Sequence, residues 1–227
     1  MMIDDLKRQA AVAAIEEIRD GMVVGLGTGS TAAHFIRELG RRVRSGMRVM
    51  GVPTSRESEE LAVEVGVPLT TLRDHPVVDL TVDGADEVSA RLDLIKGLGG
   101  ALVREKVVAH ASKRVVIVVD ETKMVDKLGR KAPIPIEVVP FAAESVARQL
   151  LRWGGQHTLR EKDGKPWISD NGNLILDWKH GAVDEPHILE KQIKAITGVV
   201  DSGIFSNVAD LVIVATATAL HRLRRQS

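Results

Sequence analysis

The chain has 227 residues, enough for one large domain or for a domain that carries a smaller one, and its 44% hydrophobic and 27% charged residues exclude wholesale disorder. Its 31 basic and 31 acidic side chains cancel and aromatics reach only 3%, so neither an electrostatic grip on nucleic acid nor a base-stacking platform is expected. Cysteine is absent, which excludes thiol nucleophiles, disulfides, thiolate zinc sites and iron–sulfur clusters and fits a cytoplasmic protein.

The N-terminal segment MMIDDLKRQAAVAAIEEIRDG is amphipathic and acidic from Asp4 onward, unlike a signal peptide. With no run of about 18 apolar residues, no membrane span is expected. Residues 22–26 (MVVGL) predict a buried strand that runs through GTGST into a helix over 30–44. Residues 48–52 predict a second strand. A helix follows, with Ser55 as N-cap, Ser58 and Glu59 in its first turn, and Gly66 as its stop. Residues 77–82 predict a strand ending at Asp83, and 98–111 a helix. Residues 115–119 (VVIVV) predict the most apolar strand, ending at Asp120. Apolar strands separated by helices indicate a parallel sheet covered on both faces.

After Lys123 the pattern changes. Residues 132–140 place three prolines around a short strand. A helix over 141–153, a KDGKP turn, strand-like WISD and NLILDW joined by Asn171-Gly172, and a helix over 185–197 complete a small α+β unit. Residues 210–216 (DLVIVAT) predict one more strand of the first sheet. The basic end, HRLRRQS, predicts a helix terminus whose Arg222, Arg224 and Arg225 complement the macrodipole, with a charged docking patch as the alternative. The expected fold is α/β, a doubly wound, mostly parallel, Rossmann-like sheet over 1–126 and 200–227. A smaller α+β domain is inserted over 127–199. Continuation of one sheet is the alternative for the insert.

Three segments follow predicted strands, where open α/β sheets bind ligands. Gly25-Leu26-Gly27-Thr28-Gly29-Ser30-Thr31 has the composition of a phosphate cradle at a helix start, or of a tight strand–helix turn. It lacks the lysine of a Walker loop, and Ser30 stands where a dinucleotide fingerprint needs its third glycine. Asp83-Gly84-Ala85-Asp86-Glu87 crowds three carboxylates, which need a cation, a hydroxyl-rich ligand, a divalent metal or solvent. Lys96-Gly97-Leu98-Gly99-Gly100 sets an ammonium before a glycine turn whose N–H groups can face an oxyanion. Glu105 reads, by itself, as a surface glutamate paired with Arg104 or Lys106.

Together, GLGTGST, DGADE, KGLGGALVREK and VVDETK, in this order and spacing, closely resemble the A type of ribose-5-phosphate isomerase. PIPIEVVPFA and VVDSGIF extend the resemblance over nearly the whole chain. The resemblance implies reversible conversion of ribose 5-phosphate to ribulose 5-phosphate through an enediolate, in the non-oxidative pentose phosphate pathway, with neither metal nor cofactor. It implies Glu105 as the base, Asp83 and Asp86 as acids on the sugar hydroxyls that assist ring opening, and Lys96 beside the reacting carbonyl. It implies substrate binding by Thr28, Gly29, Ser30, Thr31, Gly84, Ala85, Gly97, Leu98, Gly99 and Lys123, with Lys7 near the phosphate. Leu98 departs from the glycine or arginine of many members; its side chain can point away while the turn's N–H groups stay available. The resemblance further implies a homodimer or a tetramer built from two dimers, with the inserted domain serving assembly and the active-site edge. Trp153, Trp167 and Trp178 are expected in the core, with interface anchors as the alternative.

Two other classes compete. A sugar-phosphate-binding regulator would need an output module, and none is left over. An acyl- or CoA-transferase would use a glutamate as nucleophile, but the DGADE acids and the lysine suit a polyhydroxylated phosphate better. A nicotinamide dehydrogenase fits less well still, since its fingerprint is incomplete.

Overall fold

The computed structural model describes residues 2–225. The chain opens with α1 (Ile3–Ala14), β1 (Val23–Leu26), α2 (Ser30–Arg44), β2 (Met50–Pro53), α3 (Arg56–Val65) and β3 (Leu80–Asp83). Next come β4 (Glu87–Ser89), β5 (Leu94–Ile95), α4 (Leu102–His110), β6 (Val115–Asp120), β7 (Met124–Val125), β8 (Ile134–Val138) and α5 (Ala143–Arg152). The remainder holds β9 (Gln156–Leu159), β10 (Glu161–Lys162), β11 (Lys165–Pro166), β12 (Leu174–Lys179), α6 (Pro186–Lys194), β13 (Val199–Ser202), β14 (Ile204–Phe205), β15 (Leu211–Ala215) and β16 (Leu220–Arg224).

These elements form two compact units. The first comprises residues 1–85, 104–123 and 208–227 and is built on a six-stranded sheet of order β16-β15-β6-β3-β1-β2. All its neighbours are parallel except β16, which runs antiparallel to β15. The four residues of β1 and the six of β6 are buried throughout, as strands covered on both faces must be. One face packs Val24, Leu26, Val82, Val116 and Ile213 against Leu6 and Ala10 of α1 and Phe35, Ile36 and Leu39 of α2. Val23, Val52, Val78 and Val108 form a separate apolar cluster of the same unit.

The second unit comprises 86–103 and 124–207. It contains an antiparallel sheet of order β13-β8-β12-β9 and a smaller sheet of order β14-β5-β4-β7. Its core holds Ile134, Ile136, Val138, Val146, Leu150, Leu176 and Trp178. It is therefore larger than the insertion over 127–199 expected from the sequence: β4 and β5 pair with β7 and β14 and draw residues 86–103 into it.

Several elements differ from the sequence reading. The helix expected from residue 98 begins at Leu102, because Gly97 (φ 101°) and Gly100 (φ 84°) hold the preceding segment in a turn. WISD is not a strand; β11 ends at Pro166, and the Asn171-Gly172 turn is closed by Ser169 and Asn173 instead. The basic C-terminus is the edge strand β16 rather than a helix end. A turn in which the Thr216 hydroxyl accepts the N–H groups of Thr218 and Ala219 folds β16 back on β15, and Arg222 reaches Glu16 and Glu17. Gln226 and Ser227 of that segment lie outside the described residues. Trp178 is fully buried in the core as expected, whereas Trp153 is 42% exposed. Among the described residues, no helix is long and apolar enough to cross a membrane.

On α2, Glu38 accepts hydrogen bonds from Arg41 and Arg42. The Arg41 hydrogen bonds, aided by Arg42, lower its carboxyl from 4.5 to about 2. Because the folded-state value lies below the unfolded one, the pair stabilises the fold above pH 4.5 and that contribution fades as the pH falls toward 2. Glu38→Gln should cost about 1 kcal/mol at neutral pH, since both arginines are half exposed. Thermal unfolding of wild type and variant should converge across the acid window, and parallel curves there would contradict the assignment.

Candidate functional site

In the first unit the chain leaves β1 for β2 on one side and then crosses to β3 on the other. Neighbouring strands whose connections depart in opposite directions leave a crevice at their carboxyl ends. Residues 27–31 follow β1 there, Asp83 ends β3, and Gly84 and Ala85 follow it. Asp83, 2% exposed, accepts on one oxygen the N–H groups of Thr28 at 3.1 Å and Gly84 at 2.7 Å. A Cβ at Gly27 would lie 2.2 Å from that oxygen, so the close approach needs glycine.

The Thr28 hydroxyl is engaged by the protein. It lies 2.8 Å from the hydroxyls of Thr54 and Ser55 and 3.2 Å from that of Ser58. Ser58 donates to the Gly27 carbonyl at 2.6 Å, and Thr54 donates to the Leu26 carbonyl at 2.9 Å. The network pins the loop from below and leaves Gly29, Ser30 and Thr31, at the start of α2, more accessible. Lys7 of α1 joins them, its Nζ donating to Ser30 Oγ at 2.9 Å. Ser55 is the N-cap expected from sequence, accepting from Ser58 N–H. Its second role, with Thr54 and Ser58, was signalled only by the density of small hydroxyls after β2.

Two further candidates lie in the same unit. Glu105 sits in the first turn of α4 and is 4% exposed, unlike the surface residue it resembles in isolation. Lys123 is half-buried in a short 3-10 turn, Glu121–Lys123, after β6, the strand beside β3.

In the second unit, Lys96 extends β5 and is 3% exposed. Its N–H donates to the Gly203 carbonyl at 2.9 Å, and its ammonium stands 5.6 Å from the centre of the Phe205 ring. The turn after it is closed by Gly100 N–H on the Gly97 carbonyl at 2.9 Å. Asp86 accepts the Leu98 N–H at 3.0 Å. That N–H is thus occupied here, contrary to the expectation that all the turn's N–H groups stay available, while the Leu98 side chain is 43% exposed as expected. Gly99 is exposed and Gly97 buried.

The crowded acids of DGADE are separated rather than shared. Asp83 takes the N–H groups after β1 and its own turn, and Asp86 takes the turn after β5. Glu87, fully buried, accepts N–H bonds from Gly129, Lys131 and Ala132, each at 2.6 Å. Backbone donors satisfy buried carboxylates as cations would. Among the described residues, no three His, Cys, Asp or Glu side chains group as metal ligands.

Residues 50–219 match the family model described as ribose 5-phosphate isomerase A (phosphoriboisomerase A). The chain is 51% identical over 216 residues to ribose-5-phosphate isomerase A of Gloeobacter violaceus, covering 95% of this chain and 94% of the relative. It is 48% identical over 223 residues to that of Methanothermobacter thermautotrophicus, covering 97% and 98%. The solved ribose 5-phosphate isomerase A of Methanocaldococcus jannaschii superposes with a TM-score of 0.94 at 47% identity, covering 98% of this chain and 100% of the other. A D-ribose-5-phosphate isomerase solved in complex with phospho-erythronic acid superposes with a TM-score of 0.97 at 41% identity, covering 99% and 100%.

The contact between Gly27 and Asp83 can be tested without any ligand. Gly27→Ala should destabilise the chain by about 1–3 kcal/mol through overpacking, read as a lower urea midpoint. An unchanged midpoint would mean that the β1 loop can retreat from Asp83.

Proposed function

The chain belongs to the ribose 5-phosphate isomerase A family, and from that premise we propose that it interconverts D-ribose 5-phosphate and D-ribulose 5-phosphate, with Glu105 moving the proton. The reaction belongs to the non-oxidative pentose phosphate pathway. The observation that carries this reading is the crevice at the carboxyl ends of β1 and β3, where an anion-cradling loop meets a buried, oriented carboxylate.

In the proposed sequence the Gly29–Thr31 backbone and hydroxyls at the start of α2 receive the phosphate, with Lys7 and Lys123 supplying positive charge. The phosphate does not react; holding it orients the other end of the sugar. Asp83 and Asp86 bind sugar hydroxyls, and Asp83 assists ring opening. Glu105 then removes the proton from C2 of the open aldose, leaving an enediolate. The hydroxyl proton moves between O2 and O1, and Glu105 returns its proton to C1 to give the ketose. The proton and electron count closes within substrate and base, so no oxidant is required. Burial suits Glu105 to this, because water competes little for a carboxylate that is 4% exposed. The resemblance assigns the Lys96 ammonium to the negative charge on the enediolate oxygen, and the Gly99 N–H is a further donor for it. Leu98 N–H contributes indirectly, by orienting Asp86.

The same reading includes self-association as a homodimer or a tetramer built from two dimers, supported by the complete exposure of Phe141 beside half-exposed Val139 in the second unit. The absence of cysteine supports action in the cytoplasm. Light scattering of the purified chain tests the assembly, and a monomer at micromolar concentration would remove it.

Treated with chelator, the wild-type chain should still convert ribose 5-phosphate to ribulose 5-phosphate. Loss of turnover that returns with added metal would overturn the metal-free mechanism. Glu105→Gln should lower kcat by about 10²–10⁴-fold with little change in KM, and near-wild-type turnover would remove Glu105 as the base. Lys96→Ala should lower kcat more than it raises KM, because the oxyanion exists only along the reaction path. A pure KM effect would contradict that role.

A further inference from the structure

The second unit contains a contact that the proposed mechanism leaves unused. Arg160 stands between β9 and β10, its side chain 11% exposed. Its Nε donates to Asp177 Oδ2 at 2.9 Å and its Nη2 to Oδ1, a two-pronged ion pair with a carboxylate on β12. Its Nη1 donates to the carbonyl oxygens of Gly97 at 2.7 Å and Leu98 at 3.0 Å. One planar guanidinium thus ties β12 to the turn after Lys96. A lysine cannot serve both ends, since its ammonium lacks the fork.

The two carbonyls belong to consecutive peptide groups. Each group is planar and trans, and its N–H points opposite to its C=O. Holding the Gly97 carbonyl sets the direction of Leu98 N–H, which donates to Asp86. Holding the Leu98 carbonyl aims the Gly99 N–H away from Arg160. The same stretch of chain meets the turn a second time through Trp167, whose N–H donates to the Arg160 carbonyl at 2.8 Å. A Cβ at Gly100 would come within 2.6 Å of the Trp167 indole nitrogen. A glycine turn has little conformational preference of its own, so its geometry must come from such outside contacts.

We infer that Arg160, anchored by Asp177, is a positioning residue that sets the turn after Lys96, aiming the Gly99 N–H and, through Leu98 N–H, Asp86. Its consequence for catalysis rests on the isomerase reading above; the brace itself does not. The donors that it aims act on charge that develops during reaction, so misaiming them weakens the transition state more than the bound sugar.

The test uses the full chain with Arg160→Gln, Arg160→Lys and Asp177→Asn, measuring ribose 5-phosphate turnover and amide hydrogen exchange at residues 97–100. Arg160→Gln and Arg160→Lys should each lower kcat by up to about 100-fold with KM little changed, and Asp177→Asn should lower it less. Exchange at Leu98 and Gly100 should quicken in all three variants. A folded Arg160→Gln with wild-type kcat, or with only a raised KM, would overturn the role. So would wild-type kcat in Arg160→Lys, because charge alone would then suffice. Should Arg160→Gln fail to fold, Arg160→Lys and Asp177→Asn decide by the same criteria. A wild-type chain that does not turn over ribose 5-phosphate would defeat the isomerase reading, and unchanged exchange in the variants would defeat the brace.

Discussion

The bond from Thr28 N–H to the Asp83 carboxylate is the constraint on which the first unit's candidate site depends. It joins the chain just beyond β1 to the last residue of β3, across the point where the strand connections diverge. The bond demands glycine at 27, because any Cβ would occupy the place of the carboxylate. It also orients the loop so that the Thr28 hydroxyl turns inward, to the hydroxyls of Thr54, Ser55 and Ser58. A buried hydroxyl without a partner costs stability; here each has at least one. The loop is therefore held by directional bonds to two neighbouring strands' ends and to the first turn of α3, while Gly29, Ser30 and Thr31 at the start of α2 stay more accessible.

The second unit handles its charges by the same rule. Buried Glu87 and half-buried Asp86 accept backbone N–H groups, and Arg160 divides its donors between a carboxylate and two carbonyls. Such arrangements combine charge with geometry. A lone cation could neutralise Glu87, but it would not hold the 129–132 backbone in place. A hydrophobic residue at 160 could fill the volume, but it would not orient the peptide groups at Leu98 and Gly99. The polar contacts of both units thus specify direction, while the apolar clusters built on Leu26, Phe35 and Val118 in one unit, and on Ile136, Leu176 and Trp178 in the other, supply most of the burial that drives folding.

Legibility in the sequence followed the range of the interaction. The β1 loop, the apolar run of β6, the Ser55 cap and the strand over 211–215 are local patterns, and they could be read because a few adjacent residues carry the whole signal. The pairing of β4 and β5 with β7 and β14 was not legible. Those strands have only two or three residues each, too few for a period to show. The basic tail was misread as helical because its charges dominate its composition; the turn at Thr216 and the open edge of β15 made it a strand. The hydroxyl cluster and Arg160 were invisible for another reason. Nothing local marks an arginine whose partners lie at 97, 98 and 177.

The sequence by itself determined the class of fold, the order of the glycine and carboxylate segments, and the family to which they belong. Each rests on residue types at short spacing, where backbone geometry limits the outcomes. Tertiary structure alone decided that Thr28 turns inward, that Leu98 N–H serves Asp86, that Glu87 braces residues 129–132, and that Arg160 aims the glycine turn. Those decisions depend on which distant groups burial brings within about 3 Å, the range at which a hydrogen bond has a direction.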